Sequence, residues 1–127
     1  MKLKTILIEN TAKLIALDVF KKISNELDSK FNEGYATCTF ATLELGKAFE
    51  QAGINFKVIS GEYNQSGHYW IEDSFGNIFD LGNNVVDSSI ESGHITPMIN
   101  KDKSLYDKET SMSFKQYLKL YSQIKNY

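Results

Sequence analysis

Apolar residues at Leu14, Ile15, Val19, Phe20, Ile23 and Leu27 recur at spacings of three and four, which predicts an amphipathic helix over residues 10–29. Asn10 or Thr11 can cap its start. Residues 31–37, with Gly34 at their centre, break the pattern and read as a loop. A second helix follows over 38–52, with Ala41, Leu45, Ala48, Phe49 and Ala52 on one face, Thr37 as N-cap and Gly53 as the stop. Cys38 therefore stands in that helix's first turn.

Beyond Gly53 the period changes from helical to alternating. Residues 56–60 and 68–72 read as strands separated by a turn-rich loop at 61–67, and 77–81 reads as a third strand after the turn sequence Asp73, Ser74, Phe75, Gly76. Val85 and Val86 suit a short edge strand, residues 92–110 hold the single proline and read as loop, and from Ser111 a last amphipathic helix carries Phe114, Tyr117, Leu118 and Tyr121 on one side. Helices at both ends and strands between them predict an α+β fold, with the cysteine-bearing helix packed on an antiparallel sheet.

At 127 residues and 42% hydrophobic content the chain fits a single domain, 1–127, able to hold its own core. One cysteine excludes a disulfide scaffold, and two histidines with one cysteine fall short of the usual structural zinc sites, so no metal or cofactor is expected. A net charge of −2, with no arginine among the fourteen basic residues, argues against nucleic acid. The apolar run after Met1 meets Glu9 too soon for a signal peptide, and no stretch is long enough to span a bilayer, so a cytoplasmic protein without membrane contact is expected.

The candidate chemistry lies in Cys38, His68 and Asp80. A thiol attacks as the thiolate, which a helix N-terminus and a nearby imidazolium both favour. A carboxylate on the second ring nitrogen would fix the imidazole's tautomer and orientation. His68 and Asp80 lie on adjacent arms of a hairpin, where paired residue numbers sum to a constant. A constant of 148, from a three-residue loop over residues 73–75, or of 150, from a bulged loop with Gly76 at positive φ, puts both side chains on one face; 149 would separate them. Other readings stay open: Cys38 as a buried small hydrophobe, His68 as an ordinary core or surface residue, Asp80 as turn punctuation. Trp70 shares His68's face, either as a wall of an acyl cleft or as a core aromatic packed on the cysteine helix. His94 has no comparable context.

Taken in order, these residues resemble the core of the transglutaminase-like superfamily. The resemblance runs over about residues 34–82: Cys38 opening a helix with Ala41 three on, Ala52, Gly53 and Ile54 at the helix end, a strand ending at Gly61, the run His68, Tyr69, Trp70, Ile71, Glu72, and Asp80 and Leu81 after the turn at Gly76. Cys38, His68 and Asp80 fall on that pattern's catalytic positions. The resemblance implies a papain-related α+β fold and thiol acyl chemistry on an amide, with a peptide or protein as substrate. Upstream of the cysteine, where an aromatic oxyanion donor is expected, this chain has Tyr35 rather than tryptophan; the Cys38 N–H supplies one donor. The rival expectation is a catalytically retired member of the fold that binds a protein or a ligand, for which the exposed-looking tyrosines at 106, 117, 121 and 127 speak.

Overall fold

Three helices and a five-stranded antiparallel sheet make the α+β fold seen in the computed structural model, which describes residues 3–30, 38–82, 96–99 and 103–125, with side chains over 11–26, 39–80 and 103–122. The order is α1 (Leu3–Lys30), α2 (Cys38–Gln51), β1 (Phe56–Tyr63), β2 (Ser66–Asp73), β3 (Ile78–Gly82), β4 (Thr96–Ile99), β5 (Tyr106–Met112) and α3 (Phe114–Lys125). Across the sheet the strands run β4-β3-β2-β1-β5. Tyr35, His94, Val85 and Val86 lie outside the described residues, as does the side chain of Cys38.

The first helix begins at Leu3, earlier than its apolar pattern predicts, and docks by a face that includes Val19, Phe20 and Ile23 of that pattern but not Leu14 or Ile15. Ala16, Phe20 and Ser24, one i,i+4 row, are buried, with Leu17, Val19 and Ile23 half-buried beside them. Leu14 and Ile15 are 67% and 48% exposed. At about 100° per residue they lie roughly 120° and 140° around the helix from Phe20, on the side away from the contact row.

Helix α2 buries Ala41, Leu45 and Phe49 against the sheet as expected, but it ends at Gln51, leaving Ala52 exposed in the turn. Gly53 stops it at φ 73°, with Ile54 N–H donating to Phe49 O and Gly53 N–H to Glu50 O, a Schellman close. Helix α3 starts with a capping box: Gln116 N–H donates to Ser113 Oγ at 3.1 Å while Ser113 N–H donates to Gln116 Oε1 at 2.9 Å. Its Phe114 ring sits where a Cβ on Gly46 would be, so α2 and α3 meet closely there.

The β1–β2 hairpin is tighter than the expected seven-residue loop. Eight pairs run from Phe56↔Asp73 to Tyr63↔Ser66, and Asn64 and Gln65, both at positive φ (47° and 69°), form a two-residue turn whose twist suits the strands. Residues expected to be loop after position 92 include two strands, β4 and β5. Pro97 is admitted because β4 is an edge strand, and β5 lacks alternation because it is a largely exposed edge carrying Asp107, Lys108 and Glu109.

Each sheet face has its own apolar cluster. Val58, Ile71 and Phe79 meet the helices, with Phe79 edge-on to Phe49 at 5.2 Å and to Phe20 at 5.6 Å. Ile59, Trp70 and Ile78 point the other way, with Tyr106 laid over them. No helix among the described residues is long and apolar enough to cross a membrane.

Candidate active site

The turn between β2 and β3 determines which face His68 and Asp80 share. Asp73 is largely buried, and its Oδ1 accepts the backbone N–H groups of Phe75 at 3.0 Å and Asn77 at 2.8 Å, while Asn77 Nδ2 donates to Oδ2 at 2.9 Å. Gly76 takes φ 84°, the conformation a bulged turn requires. The strands leave this turn paired Glu72↔Ile78 and Ile71↔Phe79, a constant of 150, so His68, Trp70, Ile78 and Asp80 share the face opposite the helices.

That ladder is short. Among the described residues β2 and β3 pair only at those two positions, whereas β1 and β2 pair along their full lengths. Beyond Ile71 no ladder bond joins β2 to β3, and side chains bridge them instead. His68 Nε2 lies 2.7 Å from Asp80 Oδ1 and 2.8 Å from Oδ2, with His68 3% and Asp80 2% exposed. An imidazole N–H shared between both oxygens of a buried carboxylate fixes the ring plane and leaves Nδ1 as the nitrogen turned away from Asp80.

Tyr106, from the far edge strand, completes the carboxylate's shell. Its hydroxyl donates to Asp80 Oδ2 at 2.7 Å. On a flat sheet β5 and β3 stand about 14 Å apart, three strand spacings, so the bond requires the sheet to curl toward this face. The curl begins at Gly61, where the β1–β5 register shifts between Ser60 and Gly61 and where a Cβ would run into Asp107 O. Gly61 is also the cross-strand partner of His68. The ring of Tyr106 then packs edge-on to Trp70 at 4.9 Å and to Tyr63 at 4.7 Å.

Trp70 is therefore a core aromatic, 1% exposed, but on the face away from the cysteine helix. It packs with Ile59, Ile78 and Tyr106, and its ring stacks beside His68 at 6.1 Å. Among the described residues its buried indole N–H meets no acceptor.

Cys38 is the first residue of α2. Two contacts orient the helix relative to the dyad. Near its C-terminal end Phe49 packs on Phe56 and Phe79, at the Asp73 end of the sheet. At its start Tyr117 Oη donates to Thr39 O at 2.6 Å, and the Tyr117 ring packs on Tyr69, the neighbour of His68, at 5.4 Å. The α2 N-terminus, with its partial positive charge, therefore lies toward the His68 end of β2, but on the face of the sheet opposite to that of His68 and Asp80.

Sequence reasoning did not identify Tyr106 or Tyr117 as part of this neighbourhood. Their sequence context suggests exposed tyrosines, yet Tyr117 is fully buried, and Tyr106 and Tyr121 are half-buried; Tyr127 lies outside the described residues. No local signal marks Tyr106, whose partner stands three strands away. Among the described residues no three His, Cys, Asp or Glu side chains gather in a group able to hold a metal ion. A groove of about 340 Å³ lined by Lys57, Ile59, Glu72 and Lys108 lies at the other end of the strands, crossed by the Lys108–Glu72 ion pair at 3.2 Å. Comparison of the chain with protein-family models, curated proteins and solved structures gave no match.

Proposed function

We propose that this protein is a thiol enzyme of transglutaminase-like fold that transfers or hydrolyses the acyl group of an amide, with Cys38, His68 and Asp80 as its triad. The observation that carries this reading is the buried His68–Asp80 pair, closed over by Tyr106, on the same sheet that carries the helix opened by Cys38 on its other face. A buried histidine clamped through one nitrogen by a carboxylate has the geometry of an oriented general base, and a cysteine at a helix N-terminus has a lowered thiol pKa.

In this mechanism the Cys38 thiolate attacks the amide carbon while the Cys38 backbone N–H steadies the developing oxyanion. Since Asp80 engages Nε2, the imidazolium gives its proton from Nδ1 to the leaving nitrogen as the C–N bond breaks. A thioester and a free amine result. Water or a second amine, deprotonated by Nδ1, then attacks the thioester carbon, and the thiolate leaves. The Asp80 carboxylate orients the imidazole and balances the imidazolium. Tyr35 is the candidate second oxyanion donor, Trp70 forms the floor behind His68, and the expected substrate is a peptide or protein. A nucleophile that must remain a free thiol suits a reducing, cytoplasmic compartment.

The test is to trap the thioester. The protein is incubated with short peptides carrying glutamine or activated amides, quenched in acid and weighed intact. A mass gain that maps to Cys38, is removed by hydroxylamine and is absent from Cys38→Ala supports the reading. Retention of the same adduct by Cys38→Ala counts against it.

A further inference from the structure

The triad leaves one hydrogen bond of the site without a role. Tyr106 Oη donates to the same Asp80 oxygen that His68 Nε2 approaches at 2.8 Å, and it does so from the opposite edge of the sheet. Several features must coincide for it to reach. The register shift at Ser60 and Gly61 and the missing Cβ of Gly61 bring β5 inward. The 3₁₀ turn Lys103–Leu105 delivers the chain into β5, tied to the β1–β2 turn by Asn64 N–H donating to Leu105 O at 2.9 Å. Tyr63 and Trp70 then hold the ring edge-on from two sides. An exposed edge strand has no packing need for a hydroxyl that ends on a buried carboxylate, and phenylalanine would fill the same aromatic space.

We propose that Tyr106 is a positioning residue of the active site, whose hydroxyl holds Asp80 in the rotamer that meets His68 and moderates the charge that Asp80 presents to the imidazole. The inference rests on the thiol-enzyme reading of the same dyad and adds a fourth member to it. A donor on Oδ2 draws electron density from the carboxylate, and its positive end also faces the imidazolium. Both effects oppose protonation of His68. Losing the hydroxyl should therefore make His68 more basic, and a stronger donor should make it less so. The other titratable groups near His68 are Asp80 from β3 and Tyr63 from β1, whose ring centre lies 6.1 Å from that of His68, with Cys38 joining them in the proposed triad.

The experiment follows the imidazole titration of His68 by NMR in the full chain, where only two histidines give signals and His94→Gln assigns them. Tyr106→Phe should raise the His68 midpoint by about half a pH unit, and 3-fluorotyrosine placed at 106, a more acidic phenol, should lower it. A ring needed only for packing would leave the midpoint unchanged in both, and that result overturns the inference. The fluorescence of Trp70, the single tryptophan, reports whether Tyr106→Phe keeps its fold; where it does not, the 3-fluorotyrosine shift decides alone. Opposite shifts in a protein whose Cys38 alkylates no faster than free cysteine sustain the Tyr106 relationship while removing the acyl-transfer reading.

Discussion

His68 and Asp80 meet side chain to side chain where their strands no longer pair. Among the described residues the last ladder pair is Ile71↔Phe79, and beyond it the His68 imidazole lies 2.7 Å from the Asp80 carboxylate. Burying an ionisable pair is costly unless its polar atoms are satisfied, and Asp80 also accepts a hydrogen bond from Tyr106.

Asp80→Asn preserves the side chain's size and removes its charge. Without the anion the imidazolium is less stable, the thiolate–imidazolium pair forms less readily, and alkylation of Cys38 at pH 6 should slow by about tenfold or more. An unchanged rate would mean that Asp80 does not support the imidazolium.

Asp73 acts through the turn. Asp73→Ala removes the acceptor of two backbone N–H groups and the partner of Asn77. The expected loss is about 1–3 kcal/mol in urea unfolding followed by Trp70 fluorescence, accompanied by slower Cys38 alkylation, because the same turn sets the register that aligns the dyad.

At Gly61 a methyl group would meet Asp107 O and approach Trp70 Cη2 to 3.0 Å. The opposing atoms are backbone and a buried ring, neither free to yield. Gly61→Ala should cost about 1–3 kcal/mol or more and shift Trp70 emission to the red as Tyr106 is displaced; an unaltered melting curve would disprove the close approach of β5.

On α1 the exposed and buried apolar positions make opposite predictions. Leu14→Lys should change stability by no more than about 0.5 kcal/mol, while Phe20→Ala should cost about 3–5 kcal/mol. Chemical denaturation of the two variants tests which stripe of the helix faces the core.

Much of this arrangement is legible in the residues alone because its causes are local. Gly53 ending α2 and Gly76 at positive φ in the turn follow from short-range rules, whereas the even register that puts His68 and Asp80 on one face is one of two outcomes the residues leave open. The apolar stripe of α1 misled because Leu14 and Ile15 fit a helical period equally well, and only tertiary docking chooses Ala16, Phe20 and Ser24. Strand β5 carries no alternation because an exposed edge strand favours charge over burial. Gln65 at φ 69° was hidden because glutamine has no preference for that conformation, and the long loop expected around it closes instead as a two-residue turn. Tyr106 was invisible because curling of the whole sheet, not any nearby residue, brings it to Asp80.

The central claim is that His68 activates Cys38, and the most direct measurement is the rate of Cys38 alkylation by iodoacetamide at pH 6 beside that of free cysteine. An ordinary thiol is almost wholly protonated there, whereas a thiolate paired with imidazolium is not. Allowing for the weaker nucleophilicity of a low-pKa thiolate, Cys38 should react about tenfold faster than free cysteine, and His68→Ala should abolish the advantage. A rate equal to that of free cysteine, unmoved by His68→Ala, would contradict the account.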